Sequence, residues 1–429
     1  MNTNTPIRRR PSAWRTATIA GMASYIDSAA IVTFGTVIVI YQAVLGLTPL
    51  EVGVASGALT LSVAAGALVG GRLGDRFGRR PVFTVTMILI IIGIAILFLA
   101  PSFPVIITGA IFLGVGSGAD LPVSLSTISE AASDANRGKF LGFSNMLWAV
   151  GVLVSTVIAI FVGDLGRTGG QILFAHIGIV ALVVLLARLT VPESETWLEA
   201  RRERARGIHT IRADRSGALR LVRTPYAKPF LGLIAFYALA NLAANTVGQF
   251  GAYLLVNTGG VSVSTAGVLT LVIAPLNFLS YFWFMRIADG RHRFRYFTAG
   301  ALLWVVGLAV PAVFGLSLVT YLIAAAFAAL GMGFAFETIM KVWSQESFPT
   351  LLRTTAQGTI ISTARIVAAL MATVTPALAA AGPNALYSVL AVLVAIGMVI
   401  AWLTFRTRDG HNEFDVEAAD NPTAATHVV

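Results

Sequence analysis

Five ionisable side chains lie inside long apolar stretches: Asp27, Asp120, Glu337, Lys341 and Arg365. At mid-helix in a bilayer such a residue costs about 2.5–3.5 kcal/mol on insertion scales, so each needs a functional or structural reason. Burial in an apolar cavity favours the neutral form of a carboxyl, which lets it load and release a proton. Asp27, Asp120 and Glu337 are therefore candidates for proton coupling. The competing readings are substrate binding and permanent neutralisation by a structural cation. Glu337 and Lys341 stand i, i+4 with the acid first, the favourable order for a salt bridge on one helix. Arg365 cannot lose its charge. It is either the partner of Asp27, Asp120 or Glu337, or the anchor of a substrate carboxylate or phosphate.

Uncharged polar residues add a second kind of chemistry. Tyr237, Asn241, Asn245, Gln249 and Tyr253 recur at every fourth position. That spacing keeps the three amides on one side of a helix. Amides offer donors and acceptors suited to hydroxyl-rich or carboxylate solutes. A cavity lining is the favoured reading, and polar glue between helices is its rival. Asn145, Trp148 and Asn277 fall at similar depth, and Trp148 could stack on a sugar or aromatic ring. His176 is a weaker candidate near a segment end. No nucleophile–base constellation, phosphate-binding glycine loop or metal-ligand spacing is visible, and there are no cysteines. No enzyme activity, cofactor or metal is expected.

The elements that hold these residues follow from composition. Of 429 residues 56% are apolar, and a membrane helix needs about 20. Twelve apolar segments run near 17–44, 51–71, 81–100, 104–129, 140–162, 171–190, 229–256, 265–285, 297–316, 318–345, 357–380 and 385–405. The expected class is an all-α membrane protein with twelve transmembrane helices. Charged residues make up 12%, about half the share of a soluble domain. At 1.5 Å per residue, Asp120, ten residues before Glu130, and Glu337, nine before Glu346, lie near the bilayer centre. Asp27 lies about as deep in the first segment.

The net charge of +10 is a topology signal rather than a nucleic-acid patch. Of the 30 Lys and Arg, 27 fall in loops and tails on one side, including ten between Arg188 and Lys228. The positive-inside rule puts both termini in the cytoplasm, as for a multi-pass cell (inner) membrane protein. The basic face should attract anionic lipid headgroups. Met1 to Trp14 has no cleavable signal pattern.

The chain repeats itself. Asp75 and Asp289 end corresponding segments 214 residues apart. Glu130 and Arg137 recur as Glu346 and Arg353 at an offset of 216, and Gly114-x-Gly116 recurs as Gly331-x-Gly333 at 217. This implies two pseudo-symmetric six-helix halves, 1–194 and 229–408. A linker with an amphipathic helix, 195–228, joins them, and an acidic tail, 409–429, is expected to be disordered.

The stretch Gly71-Arg72-Leu73-Gly74-Asp75-Arg76-Phe77-Gly78-Arg79-Arg80 resembles the loop 2–3 signature of the major facilitator superfamily. Glu130 with Arg137-Gly138, their repeat at Glu346 and Arg353, and Pro192-Glu193-Ser194 resemble the sugar porter branch and its metabolite–proton symporter relatives. The seventh segment echoes the sugar porter pattern only loosely. The fifth lacks the Gly-Pro-rich signature of drug–proton antiporters. The resemblance implies alternating access. It also implies a latch in which Asp75 accepts from the start of the eleventh segment, with Gly71 and Gly74 permitting close approach. Arg76, Arg79 and Asp289 would belong to the same gating face, with Glu130–Arg137 and Glu346–Arg353 as charge pairs. The expectation is a monomeric secondary transporter of a small polar metabolite, sugar or polyol or organic acid, by proton symport. A proton-coupled exporter and a transporter-like sensor are the alternatives.

Overall fold

The computed structural model describes residues 13–133, 136–207, 221–223, 225–259, 263–380, 382–408 and 412–419. The first half holds α1 (Ala13–Leu45), α2 (Pro49–Phe77), α3 (Arg79–Leu99), α4 (Phe103–Ala131), α5 (Arg137–Val162) and α6 (Arg167–Arg188). The linker helix is α7 (Glu195–Ala205). The second half holds α8 (Ala227–Gly259), α9 (Val263–Ile287), α10 (Arg293–Phe314), α11 (Leu318–Ala335), α12 (Glu337–Glu346), α13 (Thr350–Ala380) and α14 (Pro383–Phe405). A short α15 (Glu413–Ala419) follows. No strand occurs among the described residues.

Local sequence explains the boundaries. Thr48 caps α2 by accepting from Glu51 N, and Glu51 reaches back to Thr48 N at 2.7 Å, with Pro49 opening the helix. Ser317 caps α11 by accepting from Thr320 N. Gly78, at φ +102°, turns the chain between α2 and α3 with no intervening loop.

The tenth apolar segment is not one helix. It breaks at Phe336 into α11 and α12. Thr338 Oγ1 donates to Gly333 O at 2.6 Å, satisfying an acceptor at the break. Glu337 therefore opens a new helix whose residues are all buried.

Ten stretches among the described residues are long and apolar enough to span a bilayer, α11 and α12 together making one of them. Together the elements form the twelve-helix bundle expected from composition. Side chains such as Phe161, Ile179 and Phe314 remain exposed on the outer surface, where lipid replaces water as their solvent. One buried cluster lies within the first half, from Tyr25 and Phe34 to Phe174 and Val184. A larger one fills the second half and continues into Leu121, Leu125 and Phe140 of α4 and α5. The halves thus share a packed core near the face that carries the loop motifs, hereafter the motif face.

The tail departs from the expectation of disorder. Glu413 to Ala419 form a helix in which Glu413 and Glu417 are buried against the protein. Its polar residues read as solvated in isolation, but Glu417 finds its partners on α13. Residues 409–411 and 420–429 lie outside the described set.

Candidate functional site

Polar side chains from both halves converge at mid-depth. Asp27 on α1 accepts from Arg365 Nη2 on α13 at 3.2 Å and from Ser117 Oγ on α4 at 3.4 Å. Arg365 Nη1 donates to Asn245 Oδ1 at 3.4 Å. The amide stripe of α8 continues the chain. Asn245 Nδ2 donates to Asn241 Oδ1 at 2.7 Å, and Asn241 Nδ2 to Tyr237 OH at 3.3 Å. Asp27, Asn241 and Tyr237 are almost wholly buried. The Gln249 side chain lies outside the described set.

A second group lies one helical turn toward the motif face. Lys341 Nζ donates to Glu337 Oε1 at 3.0 Å, Asn145 Oδ1 at 2.5 Å and Ser24 Oγ at 3.3 Å. Ser24 and Ser144 share a 2.7 Å hydrogen bond. Lys341 thereby ties α12 to α1 and α5 of the other half. Trp148 faces Asp27, and its indole N–H and the Arg365 Nε are buried without a hydrogen bond of normal geometry. Asn277 is half-buried on α9, with its backbone carbonyl bonded to Ser280 Oγ.

Asp120 is not part of this cluster. It pairs with Arg188 of α6 and accepts from Thr86 Oγ1 at 2.9 Å. Arg188 also donates to Ser124 Oγ at 3.0 Å and lies over the Phe83 ring. Arg188 counts in sequence among the cations of the basic face, yet it is 2% exposed and inside the first half. His176 accepts from or donates to Tyr25 OH at 2.6 Å, within the first half.

The loop motifs assemble at the motif face. Asp75 Oδ2 accepts from Thr355 N and Thr355 Oγ1, both at 2.7 Å, in the first turns of α13. A Cβ on Gly71 would meet Thr354 O at 2.6 Å, so only glycine allows α2 this close to α13. Gly74 contributes its carbonyl, which accepts from Arg79 Nη1 at 2.7 Å. The repeat does the same with α5. Asp289 accepts from Gly138 N at 2.6 Å and Lys139 N at 3.0 Å. Burial nonetheless holds the Asp289 carboxyl above the usual range, against the pull of those two donors.

The charge pairs differ from the expected ones. Glu130 takes Arg79 at 2.7 Å, with Arg353 of the other half at 3.9 Å. Glu346 takes Arg293 at 2.7 Å. Each acid pairs with the arginine four residues after the motif aspartate, not with the arginine seven residues after itself. Arg293 was missed in sequence, although it repeats Arg79 at the offset of 214 already seen for Asp75 and Asp289. Arg137 and Arg353 instead sandwich the Phe414 ring of α15, at 3.4 and 3.6 Å from its centroid. Glu417 accepts from Thr350 N at 2.6 Å and Thr350 Oγ1 at 2.7 Å, and burial pushes its carboxyl above the usual range. Glu193 accepts from Arg79 N and Arg80 N at the start of α3. Arg76 lies over Phe77 and lines a cavity of about 430 Å³ with Trp197 and Arg201.

The profile of the Major Facilitator Superfamily matches residues 17–370. The chain belongs to that superfamily. It is a multi-pass membrane transporter. This transporter is 32% identical over 362 residues to the "minor myo-inositol transporter IolF" of Bacillus subtilis (strain 168), covering 83% of this chain and 82% of the relative. It is 32% identical over 152 residues to the "niacin transporter NiaP" of Acinetobacter baylyi, covering 35% of this chain and 34% of the relative. The proton:xylose symporter XylE, solved bound to 6-bromo-6-deoxy-D-glucose, superposes on the transporter with a TM-score of 0.81. That match has 18% identity and covers 91% of this chain and 95% of XylE.

Proposed function

We propose that this transporter moves a small neutral hydroxylated solute, a sugar or cyclic polyol, together with a proton by alternating access. The observation that carries the reading is the buried Asp27–Arg365 pair, which joins α1 of one half to α13 of the other beside the amides of α8. Protonation of Asp27 removes the charge that holds Arg365, so proton loading and the contact between halves change together. The charged neighbours of Asp27 are Arg365, Glu337 and Lys341. Asp27 is the proposed coupling residue. Asp120, saturated by Arg188, is proposed as a brace of the first half.

The indole of Trp148 and the unmet N–H of Arg365 are donors for solute oxygens, and Asn241 and Asn245 supply further partners. The 32% identity to an inositol transporter supports a polyol. A second reading, an organic acid, draws on the niacin relative and on the Arg365 charge that protonation of Asp27 would release.

Asp75, Asp289 and the Arg79–Glu130 and Arg293–Glu346 pairs are the proposed latch of the motif face, which is closed here. The basic bias of that face supports a cytoplasmic position for it and for both termini, with the cell (inner) membrane as the proposed location.

Uptake into proteoliposomes under an imposed pH gradient tests the reading over a panel of sugars, cyclitols and organic acids. Accumulation of a neutral polyol that collapses with a protonophore is expected. Accumulation indifferent to the gradient sinks proton symport, and selective uptake of acids sinks the polyol.

A further inference from the structure

Four charges meet in the central cluster and sum to zero: Asp27 with Arg365, and Glu337 with Lys341. The pairs differ in how they cross the molecule. The first joins the halves directly. The second lies within α12 and reaches the other half only through neutral oxygens, Asn145 Oδ1 at 2.5 Å and Ser24 Oγ at 3.3 Å. Lys341 is wholly buried, and its three ammonium donors meet one carboxylate and two neutral acceptors.

When the halves part, Ser24 and Asn145 leave with α1 and α5. Glu337 stays, because it is one turn away on the same helix. Lys341 then keeps a compensated charge and has two donors free for other oxygens. Hydroxyl groups suit such donors. A carboxylate entering the same position would confront Glu337 at close range, and repulsion in a low-dielectric site is strong. Protonation of Asp27 removes the charge that compensates Arg365 and leaves Glu337 paired with Lys341.

We propose that Glu337 is a specificity-determining charge filter: by compensating Lys341 it admits neutral polyhydroxylated solutes and rejects carboxylates of the same size. Building an unfavourable charge against the wrong solute is a general route to selectivity. The proposal rests on reading the cluster as the substrate site.

Direct binding to the purified full-length protein tests it, with a hexose, its hexuronate and its amino sugar as neutral, anionic and cationic probes of matched size. Glu337→Gln should raise hexuronate affinity at least tenfold over the unaltered protein at the same pH. Adding Lys341→Met should abolish that gain. The mirror variant Lys341→Gln leaves Glu337 uncompensated and should raise amino-sugar affinity at least tenfold, which keeps the test open should Glu337→Gln fold poorly. Unchanged hexuronate binding in folded Glu337→Gln overturns the filter, as does a gain that survives Lys341→Met. Should pH-driven uptake of neutral solutes be absent while Glu337→Gln still gains hexuronate binding, the symport reading falls and the filter stands.

Discussion

Asp27 and Arg365 each carry a full charge into an apolar bundle, and each is tolerated because the other is 3.2 Å away. Breaking a buried pair from one side costs about 3–5 kcal/mol, because the remaining charge loses its compensation. Arg365→Met should therefore lower the thermal midpoint markedly, and Asp27→Asn with Arg365→Met should recover much of the loss. A double variant no more stable than Arg365→Met would show that the pair is not a unit. One proton crossing 100 mV supplies about 2.3 kcal/mol, or about 50-fold accumulation of a neutral solute. Asp27→Asn should abolish that accumulation in proteoliposomes while leaving counterflow exchange of the same solute intact. At this scale the sequence located the charges by their apolar surroundings. It left their pairing open, because Arg188 and Asp120 are 68 residues apart and nothing local joins them.

The start of α13 is held by an element from the other half, and the start of α5 by its symmetry counterpart. Hydrogen bonds to charged groups contribute about 1.5–3 kcal/mol, so Asp75→Asn should shift the balance between closed and open motif faces by about 10–100-fold. Spectroscopic distances between labels on α2 and α13 should lengthen, with little change in solute affinity once the conformation is fixed by a cross-link. Gly71→Leu should act in the same direction by steric means, since its Cβ would lie 2.6 Å from Thr354 O. The latch geometry was legible from Asp75, whose negative charge suits a helix N-terminus. The exchange of partners at Glu130 and Glu346 was not. Short sequence spacing suggested Arg137 and Arg353, but folding brings Arg79 and Arg293 nearer. The break at Phe336 also escaped the segment pattern, in which one stretch, 318–345, spans α11 and most of α12.

Alternating access requires the two halves to separate at one face while they meet at the other. Ser126 and Thr354 approach to 2.9 Å across the halves, and the chain contains no cysteine. Ser126→Cys with Thr354→Cys should form a disulfide under mild oxidation that holds the motif face closed. Net uptake should stop and return on reduction, whereas uptake unaffected by a formed disulfide would contradict opening at this face. The sequence by itself determined the helix number, the duplication and the basic face, because each is written in patterns of local composition and in fixed offsets along the chain. It also marked which charges are buried. Only the tertiary structure decided which of them meet: Asp27 with Arg365, Asp120 with Arg188, Lys341 with Asn145, and Phe414 between Arg137 and Arg353. Partner choice depends on helices far apart in the chain being packed side by side, and no local pattern records that packing.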